Sequence, residues 1–221
     1  MRHDLESNVL VMPHESEDTT QYPIPLLYLC WHKILDLVFG VCGLLVLLLL
    51  LPIIALLIRL DSPGPIFYTQ ERLGYRGRIF YIYKFRSMYI DAEQAGHAIW
   101  ATENDMRVTR MGRFMRATHL DELPQVINIL YGEMSLIGPR PERKEFVTTL
   151  ETMIPLYRCR LSVKPGLTGW AQVRYKYGAS LEDTRRKLEY DLYYLKHVSV
   201  GLDLLIMFET IKTIVLRRGA Q

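Results

Sequence analysis

Asp121 and Glu122 stand side by side in the segment Thr118-His119-Leu120-Asp121-Glu122-Leu123-Pro124-Gln125. Adjacent carboxylates can hold a hard divalent cation such as Mg²⁺, and a carboxylate is also a competent covalent nucleophile. The same residues also read as acidic decoration of a helix start, with Thr118 as cap and Pro124 in the first turn. A second candidate is Arg140 in Gly138-Pro139-Arg140-Pro141-Glu142, where a proline on each side restricts the backbone and presents the guanidinium stiffly. Such a group matches phosphate geometry, although a proline-rich turn with its arginine in solvent has the same sequence. Lys84 and Arg86 form a third candidate, because strand alternation puts them on one face; a solvated strand face gives that pattern too. In Lys164-Pro165-Gly166-Leu167-Thr168-Gly169-Trp170, Pro165-Gly166 suits a type II turn, and Gly169 allows close approach of a ligand or a strand. There is no Gly-rich phosphate loop, no His/Cys metal cluster and no Gly-x-Ser-x-Gly elbow, so the usual support for triphosphatases, zinc enzymes and serine hydrolases is absent.

The elements that must position these residues follow from hydropathy and turn chemistry. Met1 to Tyr22 is polar and aperiodic, and Pro23 and Pro25 stop any helix there. Ile66–Leu73 and Arg78–Phe85 are β-branched or aromatic runs around Gly74-Tyr75-Arg76-Gly77, which predicts a hairpin. Helical patterns are expected over Asp91–Gly96, Leu120–Leu130, Pro141–Leu161, Ser180–His197 and Gly201–Arg218, with Ser180 and Asp183 forming a capping box. The last two carry tyrosines, leucines and terminal basic residues, a composition that fits a bilayer surface and equally an ordinary core-facing helix.

Of 221 residues, 23% are charged and 49% hydrophobic, which excludes a polytopic transporter and a disordered chain. The averages conceal Leu37–Ile58, 22 residues without a charge, 17 of them Leu, Ile, Val or Phe. On an insertion scale such a block favours the membrane by roughly 5–10 kcal/mol. It begins too late, and behind too many acids, for a secretory signal. Two Lys/Arg against five acids up to Lys33, and 25 against 19 beyond it, place the C-terminal part in the cytoplasm. Pro52 leaves two paths for the anchor, a kinked span or a bend that returns it to its starting face. Three cysteines without C-x-x-C spacing agree with a reducing compartment, and a net charge of +3 with no basic–aromatic tract argues against nucleic acid.

Asp61-Ser62-Pro63-Gly64-Pro65, Tyr83-Lys84-Phe85-Arg86-Ser87-Met88, Leu120-Asp121-Glu122-Leu123-Pro124-Gln125, Met134 through Glu142 and Lys164 through Gln172, in that order, closely resemble the bacterial sugar transferases, the monotopic phosphoglycosyl transferases. The resemblance runs from about Lys33 to Ala220, and Tyr177-Gly178-Ala179-Ser180 with Tyr190–Tyr194 is most similar to members serving exopolysaccharide assembly. Met106, and Arg174-Tyr175-Lys176 after Ala-Gln-Val, depart from commoner family versions; the second departure bears on sugar or nucleotide preference.

The resemblance implies transfer of a sugar-1-phosphate from a UDP-sugar to polyprenyl (undecaprenyl) phosphate with release of UMP, as the first membrane step of glycoconjugate assembly. It implies Asp121 as nucleophile, Glu122 and Asp121 as Mg²⁺ ligands, and Lys84, Arg140 and, more weakly, Arg86 as phosphate-binding residues. It also implies a re-entrant anchor bent near Pro52 in place of a kinked span. The expected fold is α+β and mostly helical: a polar tail over 1–25, a re-entrant membrane anchor over 26–60, and a compact cytoplasmic catalytic domain over 61–221 with a small hairpin and interfacial helices. Larger members carry further transmembrane helices, so a minimal catalytic unit at the bacterial inner membrane is expected. An inactive membrane adaptor is the alternative; the sugar, the polymer and any homo-oligomer are not readable.

Overall fold

The computed structural model describes residues 25–90, 92, 105–175 and 180–216. The expected polar tail apart from Pro25, the helix over Asp91–Gly96 apart from Ala92, Lys176 through Ala179, and Arg217 and Arg218 lie outside the described residues. The described chain is mostly helical, with one small antiparallel sheet, one short parallel pair and one long apolar helix.

That helix, α1, spans Leu26–Asp61. Pro25 occupies its N-cap in extended backbone, and the chain leaves it through an extended Ser62 and Gly64 at φ 123. The helix runs through Pro52 without interruption. It is long and apolar enough to cross a membrane, and most of its large side chains are uncovered from Leu26 to Leu60. One stripe is buried. Leu47, Ile54 and Ile58 join Phe85, Met115 and Val126 in a common core cluster, and Gly43 lets the next layer approach, because a Cβ there would lie 2.6 Å from Val126 Cγ1.

The hairpin appears as expected. Strand β1 (Phe67–Leu73) pairs antiparallel with β2 (Ile79–Phe85), and the Phe67 and Phe85 rings stack at its open end. The free edge of β2 meets a side chain instead of a strand: Tyr83 N–H donates to Asn128 Oδ1 at 3.0 Å, and Asn128 Nδ2 donates to Tyr81 O at 2.8 Å. Satisfying both backbone groups from one amide removes an aggregation-prone edge. Asn128 lies in α3 (Val126–Leu130), which follows α2 (Arg110–Ala117), a helix not anticipated from sequence.

Farther on, β3 (Ser135–Ile137) and β4 (Gly166–Thr168) pair in parallel. A Cβ on Gly166 would sit 2.1 Å from Gly138 N, so the turn glycines bring two backbones together. The single helix expected over Pro141–Leu161 is broken into α4 (Lys144–Met153) and a 3-10 helix, Tyr157–Ser162. Pro155 is the cause, since it disfavours helical backbone at Ile154, which is extended, and Leu156 then turns at φ 63. After α5 (Trp170–Arg174) come α6 (Leu181–Lys196), with the expected Ser180–Asp183 capping box, and α7 (Val200–Val215), capped by Ser199.

Arg86 departs from expectation. Its side chain is buried at the end of α1, where Nη1 donates to Pro63 O at 2.6 Å and Nη2 to Ser62 O at 2.7 Å and Ser62 Oγ at 3.0 Å. A helix C-terminus offers orphan carbonyls, and the guanidinium fork is drawn to them instead of to a ligand. Arg86 thereby ties the anchor to β2. Replacing it (Arg86→Met) strands buried acceptors and should cost roughly 3 kcal/mol in denaturant or thermal unfolding of the purified protein. Arg86→Lys should recover only part of that loss, because one ammonium cannot span acceptors arranged for a planar fork.

Candidate active site

Thr118 does not cap the acidic segment. Its Oγ1 donates backward to Phe114 O and Met115 O, closing α2, and His119 turns the chain at φ 56 into a 3-10 helix, Leu120–Gln125, that has no side-chain cap. This tight turn buries Asp121 and sends Glu122 toward the hairpin. Glu122 Oε1 receives Lys84 Nζ at 2.6 Å from β2 and Arg140 Nη2 at 2.6 Å from the loop after β3; Arg140 Nη1 reaches Oε2 at 3.4 Å. Three of the residues expected to act together, Glu122, Lys84 and Arg140, therefore share one ion cluster beside Asp121. Arg86 is not among them.

The adjacent carboxyl groups are in opposite electrostatic states. Burial pushes the Asp121 carboxyl up from its ordinary range; Lys84 opposes this and the charge of Glu122 adds to it. Burial disfavours charge on Glu122 as well, yet Arg140 and Lys84 together hold it well below the usual carboxylate range. Among the described residues, no hydrogen bond or ion pair engages the Asp121 carboxylate. The two groups are thus pushed apart: Glu122 is held ionised by its two cations, and the Asp121 carboxyl has no such partner.

A cleft next to the cluster is lined by Arg72, Ile82, Lys84, Gln125, Arg140 and Pro141. Sequence reasoning missed three of its neighbours. Gln125 is buried with an unpartnered Nε2 among the described residues, and Arg72 crosses to Pro141 O at 3.0 Å. Arg116, whose Nε donates to Ser87 Oγ at 3.0 Å, adds positive potential at Asp121. Its signal was the basic spacing Arg110, Arg113, Arg116 directly before the acidic pair. Nothing local marks Arg72, which comes from the hairpin.

No group of three or more His, Cys, Asp or Glu side chains converges among the described residues, so no all-protein cage is present. Mg²⁺ seldom needs one, since it typically keeps waters and takes one or two carboxylates plus ligand phosphates. An unengaged Asp121 carboxylate beside Glu122 fits that pattern.

A profile of the family described as bacterial sugar transferase matches residues 27–217. The chain is 46% identical over 208 residues to an Aeromonas hydrophila protein named UDP-N-acetylgalactosamine-undecaprenyl-phosphate N-acetylgalactosaminephosphotransferase, covering 94% of this chain and 49% of that protein. It is 44% identical over 172 residues to UDP-glucose:undecaprenyl-phosphate glucose-1-phosphate transferase of Escherichia coli (strain K12), covering 76% and 37%. It is 38% identical over 181 residues to the exopolysaccharide production protein PSS of Rhizobium leguminosarum bv. phaseoli, covering 80% and 90%. The chain thus spans half or less of the length of the first two.

The electrostatics predict opposite stability effects at neighbouring positions. Asp121→Asn removes a buried, unpartnered charge and should stabilise the fold by about 1 kcal/mol at neutral pH. Glu122→Gln leaves two cations without their anion and should cost about 2 kcal/mol, discounted for the partial exposure of Arg140. Paired thermal melts check this; equal signs would contradict the assignment.

Proposed function

Because the chain belongs to the bacterial sugar transferase family, we propose that it moves a sugar-1-phosphate from a UDP-sugar to undecaprenyl phosphate, releasing UMP. The observation that carries this reading is the buried Asp121 carboxylate, unengaged, beside an anion already neutralised by Lys84 and Arg140. The relatives' names supply the substrate class.

An Asp121 oxygen attacks the sugar-bearing phosphorus, the bond from that phosphorus to the bridging oxygen breaks, and UMP leaves with the electron pair. The resulting aspartyl phosphosugar is then attacked by a phosphate oxygen of the lipid, which frees Asp121 and leaves the sugar on a diphosphate bridge. Splitting the transfer lets a water-soluble donor and a lipid acceptor use one site in turn. An anion attacking a diphosphate meets repulsion, so the cations carry much of the catalysis: Arg140 and Lys84 attract the phosphate oxygens, and Arg116 raises the potential around Asp121. Asp121 and Glu122 would hold Mg²⁺, which when bound would supply further positive charge against the phosphates.

The anchor reading belongs with this mechanism. One end of α1 is joined to α7, where Trp31 Nε1 donates to Asp203 Oδ2 at 3.1 Å, and the other to the end of β2 through Arg86. Both ends touch the same folded body, which supports a path that enters and returns on the cytoplasmic face. Without the native cysteines, Ser7→Cys and Met106→Cys should each be labelled only from the cytoplasm; outside labelling of Ser7→Cys would establish a span.

A donor screen with UDP-glucose, UDP-galactose and their N-acetyl relatives plus undecaprenyl phosphate should yield UMP, not UDP. Asp121→Asn should lower the rate by more than about 10⁴-fold and EDTA should stop the wild type. As pH falls, activity should drop in a one-proton step whose midpoint lies above the ordinary carboxylate range, because Asp121 takes up its proton early. UMP release by Asp121→Asn at the wild-type rate would sink this mechanism.

A further inference from the structure

The loop that carries Arg140 to Glu122 has no helix or strand of its own. Gly138 N–H donates to Thr168 O at 2.9 Å, but Pro139 and Pro141 contribute no N–H, so the loop beyond Gly138 depends heavily on its carbonyls. Four consecutive carbonyls are held. Gly166 N–H donates to Pro139 O at 2.9 Å, Arg160 Nη2 to Arg140 O at 3.0 Å, Arg72 Nη1 to Pro141 O at 3.0 Å and Leu73 N–H to Glu142 O at 3.1 Å. Of these donors, Arg160 acts on Arg140 itself.

Arg160 is braced from behind. Its Nη2 also donates to Asp191 Oδ2 at 2.9 Å, and its Nη1 donates to Tyr157 OH at 2.9 Å with Glu142 Oε1 3.7 Å away. The side chains of Arg160 and Asp191 are 8% and 3% exposed. Burying such a pair is weak grounds for stability, since well-packed apolar residues do as well or better. An apolar pair, however, cannot donate to a carbonyl. A residue before proline is confined to extended backbone, so directing the Arg140 carbonyl sets ψ and with it the Cα–Cβ direction from which the guanidinium extends.

We propose that Arg160, braced by Asp191 and Tyr157, is a positioning residue that aims Arg140 at the phosphates of the ligand. This rests on the reading that the site binds a nucleotide diphosphate sugar. Arg160 acts through Arg140, so its effect must vanish when Arg140 is gone.

The test is a double-mutant cycle in the full chain in nanodiscs, using the UDP-sugar that gives most UMP in the donor screen. Arg160→Lys should lower kcat/KM about 10–100-fold in the wild-type background, the size expected for misaiming a binding group. In an Arg140→Ala background it should change kcat/KM less than about twofold, while lowering the thermal midpoint equally in both. Equal fold losses in the two backgrounds would overturn the proposal. Asp191→Asn, which leaves Arg160 in place, should give a smaller loss with the same dependence on Arg140; a loss independent of Arg140 would count against it. If the wild type releases no UMP from any donor, the functional reading fails, and amide exchange still decides this one. Arg160→Lys should speed exchange in residues 138–143 at least about tenfold, and unchanged protection there would overturn it.

Discussion

Two neighbouring carboxylates have to be carried out of water together, and the rest of this structure answers to that requirement. A lone buried carboxylate would simply take up a proton. Here Glu122 remains charged because a lysine from the hairpin and an arginine from a distant loop meet on it at 2.6 Å each. That meeting locks three parts of the fold into one arrangement: β2, the 3-10 helix of Leu120–Gln125, and the β3–β4 unit. With the cations taken by Glu122, Asp121 keeps its carboxylate unengaged, a state that costs stability.

Since charges contribute little net stability, apolar packing must hold the cluster in place. The anchor contributes directly to it. Leu47, Ile54 and Ile58 from α1 pack with Phe85, Met115 and Val126, elements adjoining Lys84 and the acidic pair. The helix is thus a wall of the folded body and not a tether beside it. Polar residues early in α1 have partners for the same reason: Asp36 Oδ1 accepts from Ser135 Oγ and Leu136 N–H, and His32 and Trp31 meet the buried Asp203. In an apolar setting each such group needs a partner or becomes a large penalty.

Much of this was readable one residue at a time. Apolar run length gave α1, turn chemistry and β-branching gave the hairpin, and Ser180 with Asp183 gave the start of α6, because each signal is local. The alternative of Thr118 as a cap fails because its hydroxyl can serve either neighbouring element, and packing gives it to α2. The helix expected over Pro141–Leu161 failed at Pro155, a local signal outweighed in that reading by hydrophobic periodicity.

The site divides in the same way. Residue type alone determined that Asp121, Glu122, Lys84 and Arg140 are chemically able to handle phosphates, and the order of the motifs determined the family. The tertiary structure decided which of them converge. Lys84 and Arg86 are two positions apart, yet one reaches Glu122 and the other the carbonyls ending α1. Only folding shows that Asp121 is unengaged while Glu122 is doubly paired, or that Arg160 lies behind Arg140. Those facts depend on distances between residues far apart in sequence and on the water excluded around them, and neither quantity exists until the chain has closed on itself.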